Sequence, residues 1–231
     1  MSGHARAHRR ATILLYAAIQ FVALTAIAMA VYAGGTTANP WSPGYDFTGN
    51  FLSDLGATRS WSGAPNHASS VLFGIALGGI GLAFIAFASS WRAFAFARGR
   101  AVAAGLAAQL FGTASGAAFV GVAVTPVNRA LDLHNTFVLA AFGLLLCYAA
   151  CMTLVWWRNG ATRARVATSV AYLLLVCAYV AVVVVAVRAG VWTERGRILM
   201  VVSQKVIVGA SMLYVAYLTL ATRRQLQLPR R

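Results

Sequence analysis

Asp46, Asn50 and Asp54 recur every four residues in YDFTGNFLSDLGA (Tyr45 to Ala57), and this stretch holds two of the chain's four acidic residues. A carboxylate can hold a cation, move a proton or cap a backbone turn, depending on its partners. Few partners are available. Lys205, the one lysine, lies inside an apolar run directly after Ser203 and Gln204. The segment TPVNRALDLHN carries Arg129, Asp132 and His134; Arg129 and Asp132 are three apart and would pair on one helical turn. His67 and Glu194 complete the set. Asp54, Asp132, His67 and His134 have the chemistry of divalent-metal ligands. However, Asp132 and His134 are two apart and diverge on a helix, and no HxxxH or HExxH sets two ligands on one face. No metal and no other cofactor is assigned. A nucleophilic site is no better supported: GASM (Gly209 to Met212) has no histidine at its depth to act as base.

The elements that must position these residues follow from composition. The chain is 60% hydrophobic and 10% charged, against roughly a quarter charged in soluble domains. Its net charge of +15 resides in short basic clusters between apolar runs. It forms no continuous stripe, which argues against nucleic acid as a partner. Cys147, Cys151 and Cys177 all fall inside apolar runs without a CxxC pair, so they read as small apolar filler.

Six apolar runs stand out, at 12–34, 67–90, 101–124, 135–157, 166–188 and 197–221. Each is long enough to cross a hydrocarbon layer of about 30 Å as a helix. Their continuous apolarity lacks the alternation of a membrane barrel. The predicted fold is an all-α bundle of six transmembrane helices over 12–221, between basic tails at 1–11 and 222–231. Residues 1–30 also have the look of a signal peptide, ending in the small-x-small triplet Ala28-Met29-Ala30. The apolar run continues past the triplet, so it is expected to remain as the first span. Trp91, Phe94, Trp156 and Trp157 would form an aromatic belt at the inner ends. Gly74, Gly78, Gly112 and Gly116 would let the second and third helices approach closely.

Arginine sets the orientation. Arg6, Arg9, Arg10, Arg92, Arg98, Arg100, Arg158, Arg163, Arg165, Arg223, Arg224, Arg230 and Arg231 fall on one side; Arg59, Arg129, Arg188, Arg195 and Arg197 fall on the other. The positive-inside rule puts both termini in the cytoplasm and all four acids outside. The expected location is the cell (plasma) membrane, as a multi-pass protein.

The longest connection, residues 35–66, is then an outer loop containing the opening stretch. With Asp46 as N-cap and Gly56 as terminator, Phe47, Phe51 and Leu55 would line one face of a short amphipathic helix in the outer interface. Asn50 and Asp54 would line another. Lys205 lies about eight residues into the last run, roughly 12 Å deep. An ionisable group at mid-membrane costs about 2.5–3.5 kcal/mol on insertion scales, so such groups face the interior and pair. Asp54 or Asp132 is the natural partner; the alternative is that Lys205 snorkels to the headgroups.

NFLSDLGA (Asn50 to Ala57), placed between a first span and a glycine-rich second one, resembles the N-x-[LI]-S-[DE]-L-G motif of a prokaryotic multi-spanning membrane family, domain of unknown function 998. The likeness extends to the span count, to ALDLHNTF (Ala130 to Phe137) and to the arginine of ERGRI before the sixth span. More distantly, the chain is similar to eukaryotic membrane proteins of GPI-lipid remodelling and autophagy modulation. The resemblance implies fold and location rather than an activity. It also implies that Asn50, Ser53, Asp54 and Gly56 do more than solvate a loop.

The expected site is therefore an outer polar cluster of Asn50, Ser53, Asp54, Asp132, His134 and Lys205, with Asp46, His67, Arg129, Glu194 and Gln204 around it. Its cation and carboxylates suit the headgroup of a lipid or small amphiphile. Membrane lipids are the expected partners, and no protein partner is indicated. The competing expectations are an intramembrane metal-dependent hydrolase or lipid-modifying enzyme and a structural subunit of a membrane complex.

Overall fold

The structure, a computed structural model, describes residues 3–90, 101–189 and 193–227. Trp91, Phe94, Arg92, Arg98, Arg100, Arg230 and Arg231 lie outside the described residues. The described residues form six long helices: α1 (Gly3–Ala30), α2 (His67–Ala88), α3 (Val102–Val124), α4 (Leu131–Arg158), α5 (Arg163–Ala189) and α6 (Glu194–Gln227). A 3-10 turn, Leu52–Gly56, lies in the first connection. All six helices are long and apolar enough to span a membrane, and the protein is a multi-pass integral membrane bundle. Large apolar side chains such as Ile19, Leu110, Leu174 and Leu213 are exposed on the sides of the bundle, as they are when lipid is the solvent.

Each helix packs against its neighbours in sequence, and α6 returns to close the ring against α1. The backbones of α2 and α3 approach closely. A Cβ on Gly81 would stand 2.9 Å from the Gly116 carbonyl oxygen, and one on Gly116 would stand 2.8 Å from that of Gly81. Gly74 and Gly78 meet Ala123 only at ordinary distances, so Gly81 takes the role expected of them. Tyr172 of α5 and Tyr214 of α6 stack at 4.0 Å. Each reaches a serine on the other's helix: Tyr172 with Ser211 and Tyr214 with Ser169, both at 2.9 Å. These hydroxyl pairs join α5 to α6 where no water is available.

Several expectations are refined. The first helix starts at Gly3 and ends at Ala30, four residues short of the apolar run. Its buried face, including Leu14, Ala18 and Phe21, belongs to the common core. Trp156 is buried instead of standing in a lipid-facing belt, with the Arg165 guanidinium 4.9 Å above its ring, while Trp157 is exposed. The fourth helix begins at Leu131, not 135, which brings His134 into its first turn.

The opening stretch departs most. It is not one amphipathic helix lying on the interface. Residues 46–50 form a turn, Phe51 is extended (φ −70°, ψ 157°), and only Leu52–Gly56 is helical, with 3-10 geometry. Phe47 is exposed, whereas Leu55 is fully buried, so Phe47, Phe51 and Leu55 share no face. Leu52 and Leu55 pack into the core with Phe73, and the segment closes the mouth of the bundle. Gly56 is not a left-handed cap. It lies over Phe73, whose ring would stand 3.1 Å from a Cβ there.

Candidate functional site

Loop 1, residues 31–66, is shaped by its own backbone before it meets the helices. Asp46 turns the chain: its Oδ1 accepts hydrogen bonds from Thr48 N (2.8 Å), Thr48 Oγ1 (2.9 Å) and Gly49 N (3.0 Å), the local chemistry that favours Asp in turns. These donors, the Thr48 N–H foremost, hold the Asp46 carboxyl below its ordinary range, and the Arg197 charge adds to them. Gly35 has φ +84°, and a side chain there would run into the Trp61–Ser62 peptide. Only glycine lets the two ends of the loop meet at this point.

Asn50 is the centre of the network and is fully buried. Its Nδ2 donates to the Gly35 carbonyl (2.9 Å) and to Asp54 Oδ2 (3.0 Å), and its Oδ1 accepts from Asp46 N (3.0 Å). Asp54, 3% exposed, also accepts from Phe51 N at 2.9 Å, reaching back over the start of the 3-10 turn as in a capping box. Burial pushes its carboxyl above the ordinary carboxylate range. The Asn50 and Trp61 side chains, Phe51 N–H and the Lys205 charge offset this in part. Tyr32 and Tyr45, stacked edge to face at 5.8 Å, wall the cluster. Burial, with the Asp54 charge next, pushes the Tyr32 phenol up to about 12 and shifts that of Tyr45 in the same direction.

Three residues of α6 reach this loop. Lys205 Nζ donates to the Asn50 carbonyl at 2.6 Å and to that of Val201 at 3.5 Å. Its ammonium lies 5.5 Å from the Tyr45 ring centre and 5.1 Å from that of Phe47, within cation–π range. Gln204 Oε1 accepts from Leu52 N at 2.8 Å. Arg197 Nη1 donates to the Gly49 carbonyl at 2.8 Å. The two cations of α6 thus converge on consecutive carbonyls. Because α6 begins at Glu194, Lys205 lies eleven residues, roughly 16 Å, along it, and the loop descends to meet it. Lys205 does not reach a carboxylate directly; Asp54 and Asp46 act on it through space.

The rest of the loop is tied to α2 and to the 125–130 connection. Buried Asn66 donates to Ala57 O (2.9 Å) and Leu55 O (3.4 Å) and accepts from Ala33 N (3.2 Å). Ser69 and Ser70 donate to Leu55 O and Gly56 O, at 3.0 and 2.8 Å. Exposed Asn128 exchanges hydrogen bonds with Thr58, accepting from Thr58 N (3.0 Å) and donating to Thr58 Oγ1 (3.1 Å).

Asn50, Asp54 and Lys205 therefore come together, with Asp46 and Gln204 beside them. His134 is buried, with Nδ1 2.6 Å from the Thr125 carbonyl oxygen and Nε2 without a hydrogen-bond partner. It lies within electrostatic reach of Asp54. The remaining expected residues stay apart. Ser53 is half-buried on the 3-10 turn; Asp132, His67 and Glu194 are exposed in the first turns of α4, α2 and α6. Arg129 is exposed and precedes α4, so it shares no helical turn with Asp132. Among the described residues no group of three or more His, Cys, Asp or Glu is placed to hold a metal ion. Sequence reasoning missed Arg197, Tyr32, Tyr45, Gly35 and Asn66. A signal existed for Arg197: it precedes Gln204 by seven residues and Lys205 by eight, which places all three on one helical face. Compared with known proteins, the chain matches no family model, no curated protein and no solved structure.

Proposed function

We propose that the protein binds the headgroup of an anionic or zwitterionic lipid, or of a small amphiphile, at the mouth of the bundle. The observation that carries this is the convergence of Lys205 and Arg197 on the consecutive carbonyls of Gly49 and Asn50. Carbonyls position the two cations without neutralising them. The aromatic rings of Tyr45 and Phe47 flank the ammonium, and both cations retain donors for an anionic oxygen. The same proposal takes the mouth to face outward in the plasma membrane with both termini in the cytoplasm, on the distribution of arginine. It also takes the chain to be related to the domain-998 family through NFLSDLGA.

The test is native mass spectrometry of detergent-purified protein with short-chain phosphatidylglycerol and phosphatidylcholine. Lys205→Gln and Arg197→Gln remove charge and keep a donor. Wild type is expected to carry headgroup-selective adducts that each variant loses by tenfold while still folded at the temperature of measurement. Equal adducts in all three proteins would exclude the site.

A second reading has its own observation. The buried polar groups of Asn50, Asp54 and Asn66 are largely satisfied by one another and by loop carbonyls, which suits a latch that holds the bundle's mouth for a partner subunit. On that reading the charge-neutral variants leave lipid adducts unchanged, whereas Lys205→Met, which removes the donor, lowers the melting temperature.

A further inference from the structure

Two buried groups at the mouth of the bundle can each take a proton, and among the described residues neither is in direct contact with a charged partner. Asp54 is the first. The two cations of α6 donate to main-chain carbonyls and not to its carboxylate. Asn50 and Phe51 both donate to Asp54 Oδ2, so a proton on Oδ1 would leave those bonds in place. Trp61, which is 46% exposed, donates to the same carboxyl. One side chain therefore separates Asp54 from the outside.

His134 is the second, at 4% exposed. Its Nδ1 lies 2.6 Å from the Thr125 carbonyl oxygen. A carbonyl only accepts, so in the neutral ring Nδ1 carries the hydrogen and Nε2 is a bare acceptor. Nε2 is buried without a hydrogen-bond partner, and Asp54 acts on the ring through space. An unmatched buried acceptor is costly to keep, and it marks a place where a hydrogen can be received.

One residue joins this pair to the headgroup site. The Asn50 carbonyl accepts from Lys205, while the Asn50 side chain donates to Asp54 at 3.0 Å. An anion resting on the Lys205 ammonium therefore comes close to a buried carboxyl. A like charge nearby disfavours the ionised form, and the repulsion is strongest where water is excluded. Burial already holds the Asp54 carboxyl above the ordinary carboxylate range, and the anion would push it further the same way.

The other groups around the pair offer no such place. Burial keeps the Tyr32 and Tyr45 phenols protonated. The Thr48 and Gly49 N–H groups keep Asp46 ionised, and Arg197 stays charged. The single titratable side chain of α2, His67, is exposed, α3 has none, and Tyr179 of α5 reaches Gln204. Arg59, Arg129, Asp132 and Glu194 are exposed. Lys205 is the one rival.

We infer that Asp54 and His134 form a proton-binding site coupled to the head site, so that an anionic headgroup at Lys205 and Arg197 is taken up together with one proton from solution. The inference rests on the headgroup reading for the anion and adds the proton. Coupling is reciprocal, so protonation strengthens anion binding by the same factor. Affinity then falls as pH rises through the range in which the proton site empties.

The experiment titrates the detergent-purified full chain with ether-linked short-chain phosphatidylglycerol. Its phosphodiester keeps one charge across the range, and it brings no ester carbonyl. Calorimetry in two buffers of different ionisation enthalpy counts protons, and infrared difference spectra show whether a carboxyl becomes protonated. At the steepest point of the pH profile, wild type is expected to take up between about half a proton and one proton per lipid, with affinity falling about three- to tenfold per pH unit. A new protonated-carboxyl band that is absent in Asp54→Asn places the proton on Asp54. Uptake without that band, lost in His134→Gln, places it on His134. Either result supports the inference. Asp54→Glu, which moves the band, replaces Asp54→Asn if that variant does not fold. Lipid binding without proton uptake overturns the inference and leaves the head site standing, as does uptake that survives both substitutions and so belongs to Lys205. Absence of phosphatidylglycerol binding at every pH overturns both.

Discussion

The Lys205 ammonium donates to the main-chain carbonyl of Asn50 at 2.6 Å, so α6 grips loop 1 by an atom that no substitution at position 50 removes. Lys205→Met keeps the apolar stem and loses the donor. A hydrogen bond to a charged group contributes about 1.5–3 kcal/mol, and a loss toward the lower end is expected because the Asn50 carbonyl retains the Tyr45 hydroxyl at 3.2 Å. Lys205→Gln should lose less than half as much. Thermal unfolding of the two variants in one detergent checks the order.

Asp54 and Asp46 should respond to pH in opposite directions. The Asp54 carboxyl titrates above its unfolded value because burial disfavours its charge. Its contribution to stability is therefore full below the ordinary carboxyl range, near pH 4, and is lost as pH rises through the raised value. Asp54→Asn keeps an acceptor for Asn50 and Phe51 and removes that loss, so its melting temperature should gain on wild type as pH increases. Asp54→Ala leaves buried donors unmatched, at about 1–3 kcal/mol, at every pH. Asp46 titrates below its unfolded value, and its contribution disappears as pH falls through that lowered value. Asp46→Ala should cost about 1 kcal/mol, as lost side-chain caps do, at neutral pH and little in acid. Melting curves across pH for the three variants test both signs.

Gly35 and Gly44 both have positive φ, but only Gly35 is crowded. Gly44→Ala should cost about 1 kcal/mol for the left-handed backbone alone. Gly35→Ala adds a collision with the Trp61–Ser62 peptide and displaces the carbonyl that receives Asn50. A loss of more than about 3 kcal/mol is expected, at the upper end for strained backbone. Equal melting temperatures for the two variants would contradict this account of how the loop closes.

Asn66 and Asn128 both tie loop 1 to other segments, one buried and one exposed. Asn66→Ala abandons the Ala33 N–H and the Ala57 carbonyl, while the Leu55 carbonyl keeps Ser69, and should cost at least about 2 kcal/mol, since each unsatisfied buried group costs about 1–3. Asn128→Ala leaves Thr58 to water and should cost under about 1 kcal/mol. Thermal unfolding of the pair measures the difference directly.

The six helices were legible because membrane helices announce themselves by length and apolarity, features local to each segment. Lys205, Asn50 and Asp54 were legible because polar groups stand out in so apolar a chain. Asp132, His67, Arg129 and Glu194 gave the same signal, yet each sits at a helix end where composition does not say which way a side chain faces. The helix over 46–56 failed for a related reason. Four-residue spacing fits Phe47, Phe51 and Leu55, but Asn50 Oδ1 takes the Asp46 N–H while Asp46 holds the Thr48 and Gly49 N–H groups, which closes a local turn, and Phe51 then runs extended. Gly35 and Asn66 lie near loop 1 in sequence, but their importance lies in which backbone atoms they approach, and no local pattern encodes that.

The reach of α6 into loop 1 also bears on how the protein is made. The bonds from Arg197, Gln204 and Lys205 close over 148, 152 and 155 residues of chain. At roughly 5–20 residues per second, the ribosome needs roughly 8–30 s to make the intervening segment. Loop 1 is thus synthesised well before the helix that completes its set of bonds. Until the sixth helix inserts, the carbonyls of Gly49 and Asn50 wait without their cations, and a nascent chain stopped before Glu194 has an open mouth. Closure of loop 1 therefore reports that the sixth helix has been inserted and packed.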